Sequence, residues 1–142
     1  MQSTAPAAHR PPEQTAVSAA SLREQHVVCE RLFQDLVNRA ESNDWHACDE
    51  IWDEFSSVLE EHMTYEESRL FPKLAAGDEE RLISQRLRED HAAFRHALAE
   101  MGVAIEIHSV RLTGVEDLVG RLRAHAALED RCLYPFADEG SR

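Results

Sequence analysis

The sequence is short of positive charge, cysteine, glycine, proline and long apolar runs, and each shortage removes a class of protein. Lysine and arginine number 15 against 27 acidic residues, a formal net charge of −12. Nucleic-acid binding rests on a basic footprint that offsets phosphate charge, and none is present, so no nucleic-acid partner is expected. An anionic membrane surface is disfavoured for the same reason. The three cysteines, Cys29, Cys48 and Cys132, are odd in number, far apart and form no Cys-x-x-Cys pair. That argues against a disulfide framework and against a thiolate zinc site, and suggests a reducing, cytoplasmic setting. No apolar run approaches the about 20 residues of a membrane span, and the N-terminal stretch lacks the basic start and apolar segment of a signal peptide. Glycine and proline number five each, and three of the prolines (Pro6, Pro11, Pro12) fall near the N-terminus. The long remainder has few helix breakers.

What is present suits one helical domain. The chain has 142 residues, 43% hydrophobic and 30% charged, enough for a single core. Its acidity reads as a solubility feature. Residues 1–17, with three prolines, alanines and no periodicity, read as a disordered tail before one domain over 18–142.

Four helical segments are expected in that domain. The first starts near Ser21, where Ser21 and Glu24 form a capping-box pattern, and ends around Ala40 to Asn43. The second runs from Asn43 or Asp44 to about Phe71, closed by Pro72 and Gly77. The third starts near Asp78 and carries Leu82, Ile83, Leu87, Phe94, Leu98, Met101 and Ile105. The fourth starts at Thr113, with Glu116 completing a second capping box, and ends near Pro135. Apolar residues recur in each at steps of three and four, so each helix has one buried stripe. Short connections make neighbours antiparallel, which gives an all-α, up-down-up-down four-helix bundle.

The chain also repeats itself. Arg23-Glu24-Gln25-His26 returns as Arg88-Glu89-Asp90-His91. His62-x-x-x-Glu66-Glu67-x-x-Leu70-Phe71-Pro72 returns as His125-x-x-x-Glu129-Asp130-x-x-Leu133-Tyr134-Pro135. Two similar helical hairpins about a pseudo-twofold axis would each supply one lone histidine and one His-x-x-x-Glu pair.

Those groups fall where apolar residues belong. The stripe of the first helix (22, 26, 29, 33, 36) contains His26, and that of the second (48, 52, 55, 59, 62, 66, 70) contains His62 and Glu66. The third (83, 87, 91, 94, 98, 101, 105) contains His91, and the fourth (115, 118, 122, 125, 129, 132, 136) contains His125 and Glu129. Six ionisable groups thus point at one core, and each buried alone would cost several kcal/mol, on the order of 3 or more. A hydrogen-bonded polar layer is the bland solution. A multivalent cation is the sharper one, because imidazole nitrogen and carboxylate oxygen suit iron, manganese and zinc. Residues i and i+4 lie about 40° apart around a helix, so each His-x-x-x-Glu pair can reach one site. Four histidines and two glutamates suit two metals, with the glutamates as natural bridges.

With that pattern the sequence resembles the haemerythrin-like, or HHE cation-binding, family over residues 21–138, including the Glu-Glu-x-x-Leu-Phe-Pro ending of the second helix. The resemblance implies two iron ions, oxo- or hydroxo-bridged, inside the bundle. His26, His62, His91 and His125 would then be terminal ligands, and Glu66 and Glu129 bridges. Oxygen carriers of the family have a fifth histidine where this chain has Arg95, and His96 points about 140° away from His91. Those carriers also use an aspartate at the spacing of Asp130. Glu129 is preferred here because it matches Glu66 in the repeat and lies on the stripe. The four-histidine, two-glutamate set is more similar to bacterial di-iron proteins associated with nitrosative stress and iron–sulfur repair, without their N-terminal cysteine domain.

The other chemistry-bearing residues have plainer readings. Cys29 and Cys132 read as small buried residues, Cys48 as remote, and Tyr65 and Tyr134 as packing residues flanking the ligand segments. Trp45 and Trp52 pack the far end, Met63 and Met101 the core. His46 and His108 sit near helix ends in solvent, and Glu61 and Glu67 default to the solvated face. The functional expectation is a protein that binds oxygen, nitric oxide or peroxide in a sensing, binding or stress-related role. Alternatives are a peroxide-decomposing enzyme, an iron-handling or iron-responsive regulatory bundle, and a metal-free interaction bundle.

Overall fold

The computed structural model describes residues 16–74 and 76–138. Most of the expected tail therefore lies outside the described residues. Four long helices form: α1 (Ala19–Glu41), α2 (Trp45–Tyr65), α3 (Asp78–Glu106) and α4 (Leu112–Cys132). The chain beyond α2 continues through a wide π-helical turn, Glu66–Leu70, and a tight turn, Phe71–Leu74; α4 is followed by another tight turn, Tyr134–Phe136. No helix among the described residues is long and apolar enough to cross a membrane.

Sequential helices run antiparallel. His26 on α1 meets His62 on α2, while Leu36 further along α1 meets Cys48 at the start of α2. Arg95 on α3 reaches Glu60, and His91 one turn earlier reaches Glu67. Between α1 and α4, Arg23 pairs with Asp130 and Glu30 with Arg123, which closes the ring of helices.

Both capping expectations were misplaced. α1 is capped by Ser18, whose hydroxyl accepts the Ser21 N–H, so Ser21 is already inside the helix. Tertiary bonds hold this earlier start: Val17 N–H donates to the Tyr65 hydroxyl and Ala19 N–H to Asp138. α4 begins at Leu112, and Arg111 at its cap makes no side-chain bond, so Thr113 with Glu116 forms no capping box. Asp44 does cap α2, accepting the Ala47 N–H. The turn before it places Asn43 at φ 57°, a left-handed conformation that asparagine tolerates.

The second helix also departs from the uniform expectation. Pro72 has no N–H, and its ring clashes with a regular helical carbonyl four residues back. The ladder opens instead, and Phe71 N–H bonds to the Glu66 carbonyl, five residues back. Wide turns of this kind often occur at functional sites.

The apolar stripes form the core as expected, except that Leu82 stands off its stripe and is 68% exposed. Around Leu22, Leu70, Phe71, Leu87, Leu133 and Tyr134 one cluster packs at the end where α2 and α4 finish. A second, with Phe33, Phe55, Leu59, Phe94 and Leu98, fills the middle. Leu36, Cys48 and Ile105 close the far end, with Trp45 and Trp52 against them. The polar residues singled out by the stripes lie between the first two clusters.

Candidate metal centre

The structure brings all six stripe residues together. Glu66, Glu129 and His91 are fully buried (0% exposed), His62 and His125 nearly so, and His26 is half-buried. His26 Nε2 lies 3.0 Å from His62 Nε2, and His91 Nε2 lies 3.2 Å from His125 Nε2. Glu66 spans the two histidine pairs, with Oε2 3.2 Å from His62 Nε2 and Oε1 3.3 Å from His91 Nε2. Glu129 does the same from α4, its Oε1 3.2 Å from both His26 Nε2 and His125 Nε2. Two four-residue groups result, His26–His62–Glu66–Glu129 and Glu66–His91–His125–Glu129, each able to hold a metal ion. The two carboxylates belong to both.

Asp130, the competing residue, does not join them. It is 52% exposed and pairs with Arg23 on the surface. His96 faces solvent and pairs with Glu100. Arg95, where oxygen carriers have a further histidine, lies outside the ligand layer. Its guanidinium grips Glu67 through two bonds of 2.7 Å and touches Glu60.

The remote nitrogens of three imidazoles face oxygen atoms. His62 Nδ1 lies 2.5 Å from Gln25 Oε1, His91 Nδ1 3.2 Å from Glu67 Oε2, and His125 Nδ1 2.9 Å from Asp90 Oδ2. These oxygens only accept, so each Nδ1 carries the proton and donates. The neutral ring then turns its Nε2 lone pair toward the centre. There it meets another Nε2 and a carboxylate oxygen, all acceptors.

Such a cluster of lone pairs needs protons or cations. Without metal, protons serve. Burial disfavours the charged imidazole of His62, but hydrogen bonds to Glu129 and Glu66 outweigh it and lift the pKa to about 9. His125 is also raised: burial pulls it down, and Glu129 and Asp90 more than compensate. Burial works against the Glu129 carboxylate, yet its bonds to Glu66 and the histidines hold its pKa well below the ordinary range. Glu66 Oε1 and Glu129 Oε2, both buried, make no hydrogen bond among the described residues. Unsatisfied buried carboxylate oxygens are costly, and these two face the shared centre. The donor set and these orphan oxygens fit cations.

Four neighbours of the centre were misread or passed over in the sequence. Tyr134 is not merely packing: its hydroxyl lies 3.0 Å from Glu66 Oε2 and His26 Nε2, and 3.3 Å from His62 Nε2 and Glu129 Oε1. Burial and the two carboxylates push its pKa up, so it stays a neutral donor. Glu67 is not on the solvated face but half-buried between Arg95 and His91, and Arg95 holds its pKa down. Gln25 and Asp90 had a usable signal, since they occupy equivalent positions in the repeat, each just before a lone histidine. Elsewhere, Tyr65 packs as expected, Cys29 is buried with its pKa pushed up to about 11, and His108 is exposed near a helix end as expected, with its ring stacked on Trp45.

An antiparallel bundle with histidines and shared carboxylates facing its interior defines a class of cation-binding helical proteins. Residues 17–137 match the family model described as the Hemerythrin HHE cation binding domain, and the chain belongs to that family. No curated protein and no solved structure matches the chain.

Proposed function

We propose that the chain is a cytoplasmic non-haem di-iron protein whose site takes up or reacts with oxygen, nitric oxide or peroxide. His26 and His62 would hold one iron and His91 and His125 the other, with Glu66 and Glu129 bridging. The observation that carries this reading is the pair of fully buried glutamates, each shared by both histidine groups and each left with an orphan oxygen. Bound iron supplies Lewis acidity and one-electron redox chemistry toward such small ligands.

The chain's own groups do the rest. Gln25, Glu67 and Asp90 fix three imidazoles in the tautomer that offers Nε2, and a carboxylate at Nδ1 makes that nitrogen a stronger donor to a cation. Arg95 anchors Glu67 by two bonds, so His91 is oriented from the surface inward. The flanking apolar clusters exclude bulk water, which strengthens electrostatic effects inside. The Tyr134 hydroxyl can donate a hydrogen bond at the centre. That donor favours peroxide decomposition as the second reading, because a hydrogen bond stabilises the negative charge that develops on oxygen as an O–O bond breaks.

Absorption spectra of iron-replete protein before and after peroxide, oxygen or nitric oxide test the proposal. Near-ultraviolet bands of ferric iron that change with one of these ligands are expected. A colourless protein holding only zinc, or bands indifferent to all three, would refute it. Oxygen release from peroxide, lost in His62→Ala, separates the enzymatic reading from simple binding.

A further inference from the structure

A cavity of about 240 Å³ extends from the ligand layer into the middle of the bundle. One end is walled by ligand-layer groups, including His26, His62 and Glu129. The rest is carbon and sulfur: Cys29, Phe33, Leu59, Met63, Phe94 and Leu122. Phe33 lies seven residues beyond His26 on α1, and Val119 six before His125 on α4. At about 1.5 Å per helical residue the chamber reaches roughly 10 Å from the proposed ligands. Its rim lies on the α1–α4 seam, at Val27, Glu30, Arg123 and Ala126. Val27 is 55% exposed there, an apolar side chain at the entrance.

The size argues against a diatomic ligand as the sole occupant. An apolar protein cavity of about 150 Å³ accepts benzene, so by that scale this one takes about ten heavy atoms. The walls also select chemistry. Along the apolar stretch a charged ligand of either sign would find no counter-charge. Phe33 and Phe94 offer aromatic surfaces, and Met63 and Cys29 bring sulfur, which packs well on ring edges. The Arg123–Glu30 pair at the rim is solvent-exposed, and such pairs open readily.

We propose that this chamber binds an uncharged bicyclic aromatic molecule, about the size of indole, beside the ligand layer. The site needs only the apolar walls, so it does not depend on the identity of the metal.

Indole is the probe, titrated into iron-loaded and chelator-treated protein and followed by methyl NMR and calorimetry. Saturable one-site binding is expected in both forms, with a Kd of about 1 mM or tighter. Methyl shifts should concentrate on Leu59, Met63, Val119 and Leu122. Val119→Phe should fill the chamber and weaken binding about tenfold or more. Ala126→Trp, at the half-buried rim, should do the same while leaving helicity and metal content unchanged, which covers a folding failure of the core variant. Absence of saturation, shifts elsewhere, or binding indifferent to a folded rim variant would overturn the proposal. Indole binding by a protein that takes up no iron even when iron is supplied would leave this site standing and refute only the di-iron reading.

Discussion

Replacing Tyr134 with phenylalanine separates a polar role at the centre from a packing role. The ring is fully buried in the cluster with Leu70, Phe71 and Leu133, and phenylalanine keeps that packing. Only the hydroxyl is lost, with its 3.0 Å bond to the Glu66 carboxylate and its approach to Glu129 at 3.3 Å. A hydrogen bond to a buried charged acceptor contributes about 1.5–3 kcal/mol, so metal-free Tyr134→Phe should lose about 2 kcal/mol. For a domain of this size that is a fall in Tm of roughly 6–10 °C. With cations at the centre, the carboxylates have a stronger partner and the loss should shrink to about 1 kcal/mol or less. By linkage the variant then binds metal about fivefold more tightly, since about 1 kcal/mol separates the two states. Thermal and urea unfolding followed by circular dichroism, with chelator and with iron, gives both numbers. Equal destabilisation in the two forms would mean the hydroxyl serves packing alone, and no loss in the metal-free form would contradict the bond to Glu66.

Glu129→Ala should lower the bound metal count, whereas Asp130→Ala, which removes an exposed pair with Arg23, should leave it unchanged; elemental analysis of both decides. Asp90→Ala removes the acceptor at His125 Nδ1 and should weaken metal binding about 10–100-fold, measured by competition with a chromophoric chelator. For metal-free protein, His62 has a folded pKa raised from 6.5 to about 9, so its stabilisation is complete below 6.5 and is lost as pH rises through 9. Urea midpoints should therefore fall across that window by on the order of 3 kcal/mol at most, and a flat profile would contradict the assigned hydrogen bonds.

The features legible in the sequence were those with helical period. His26, His62, Glu66, His91, His125 and Glu129 interrupt apolar stripes, and the two halves of the repeat make the same interruptions. Residues that act across helices were harder to read. Gln25 and Asp90 sit about 100° off the stripe of their own helix, and only the packed neighbour shows that they touch His62 and His125. Glu67 has the same problem, compounded by the wide turn that Pro72 imposes on α2. Tyr134 lies beyond the last α-helical residue, Cys132, where period no longer tells direction; the tight turn that follows α4 swings its ring inward. The start of α1 was misjudged because contacts distant in sequence, Val17 with Tyr65 and Ala19 with Asp138, decide where that helix begins.

Anomalous diffraction at the iron edge, from crystals of iron-replete protein, addresses the di-iron assignment without intermediaries. Two peaks are predicted, one enclosed by His26, His62, Glu66 and Glu129 and the other by Glu66, His91, His125 and Glu129. A single peak, a peak at Asp130 or Arg95, or none at the glutamates would contradict it.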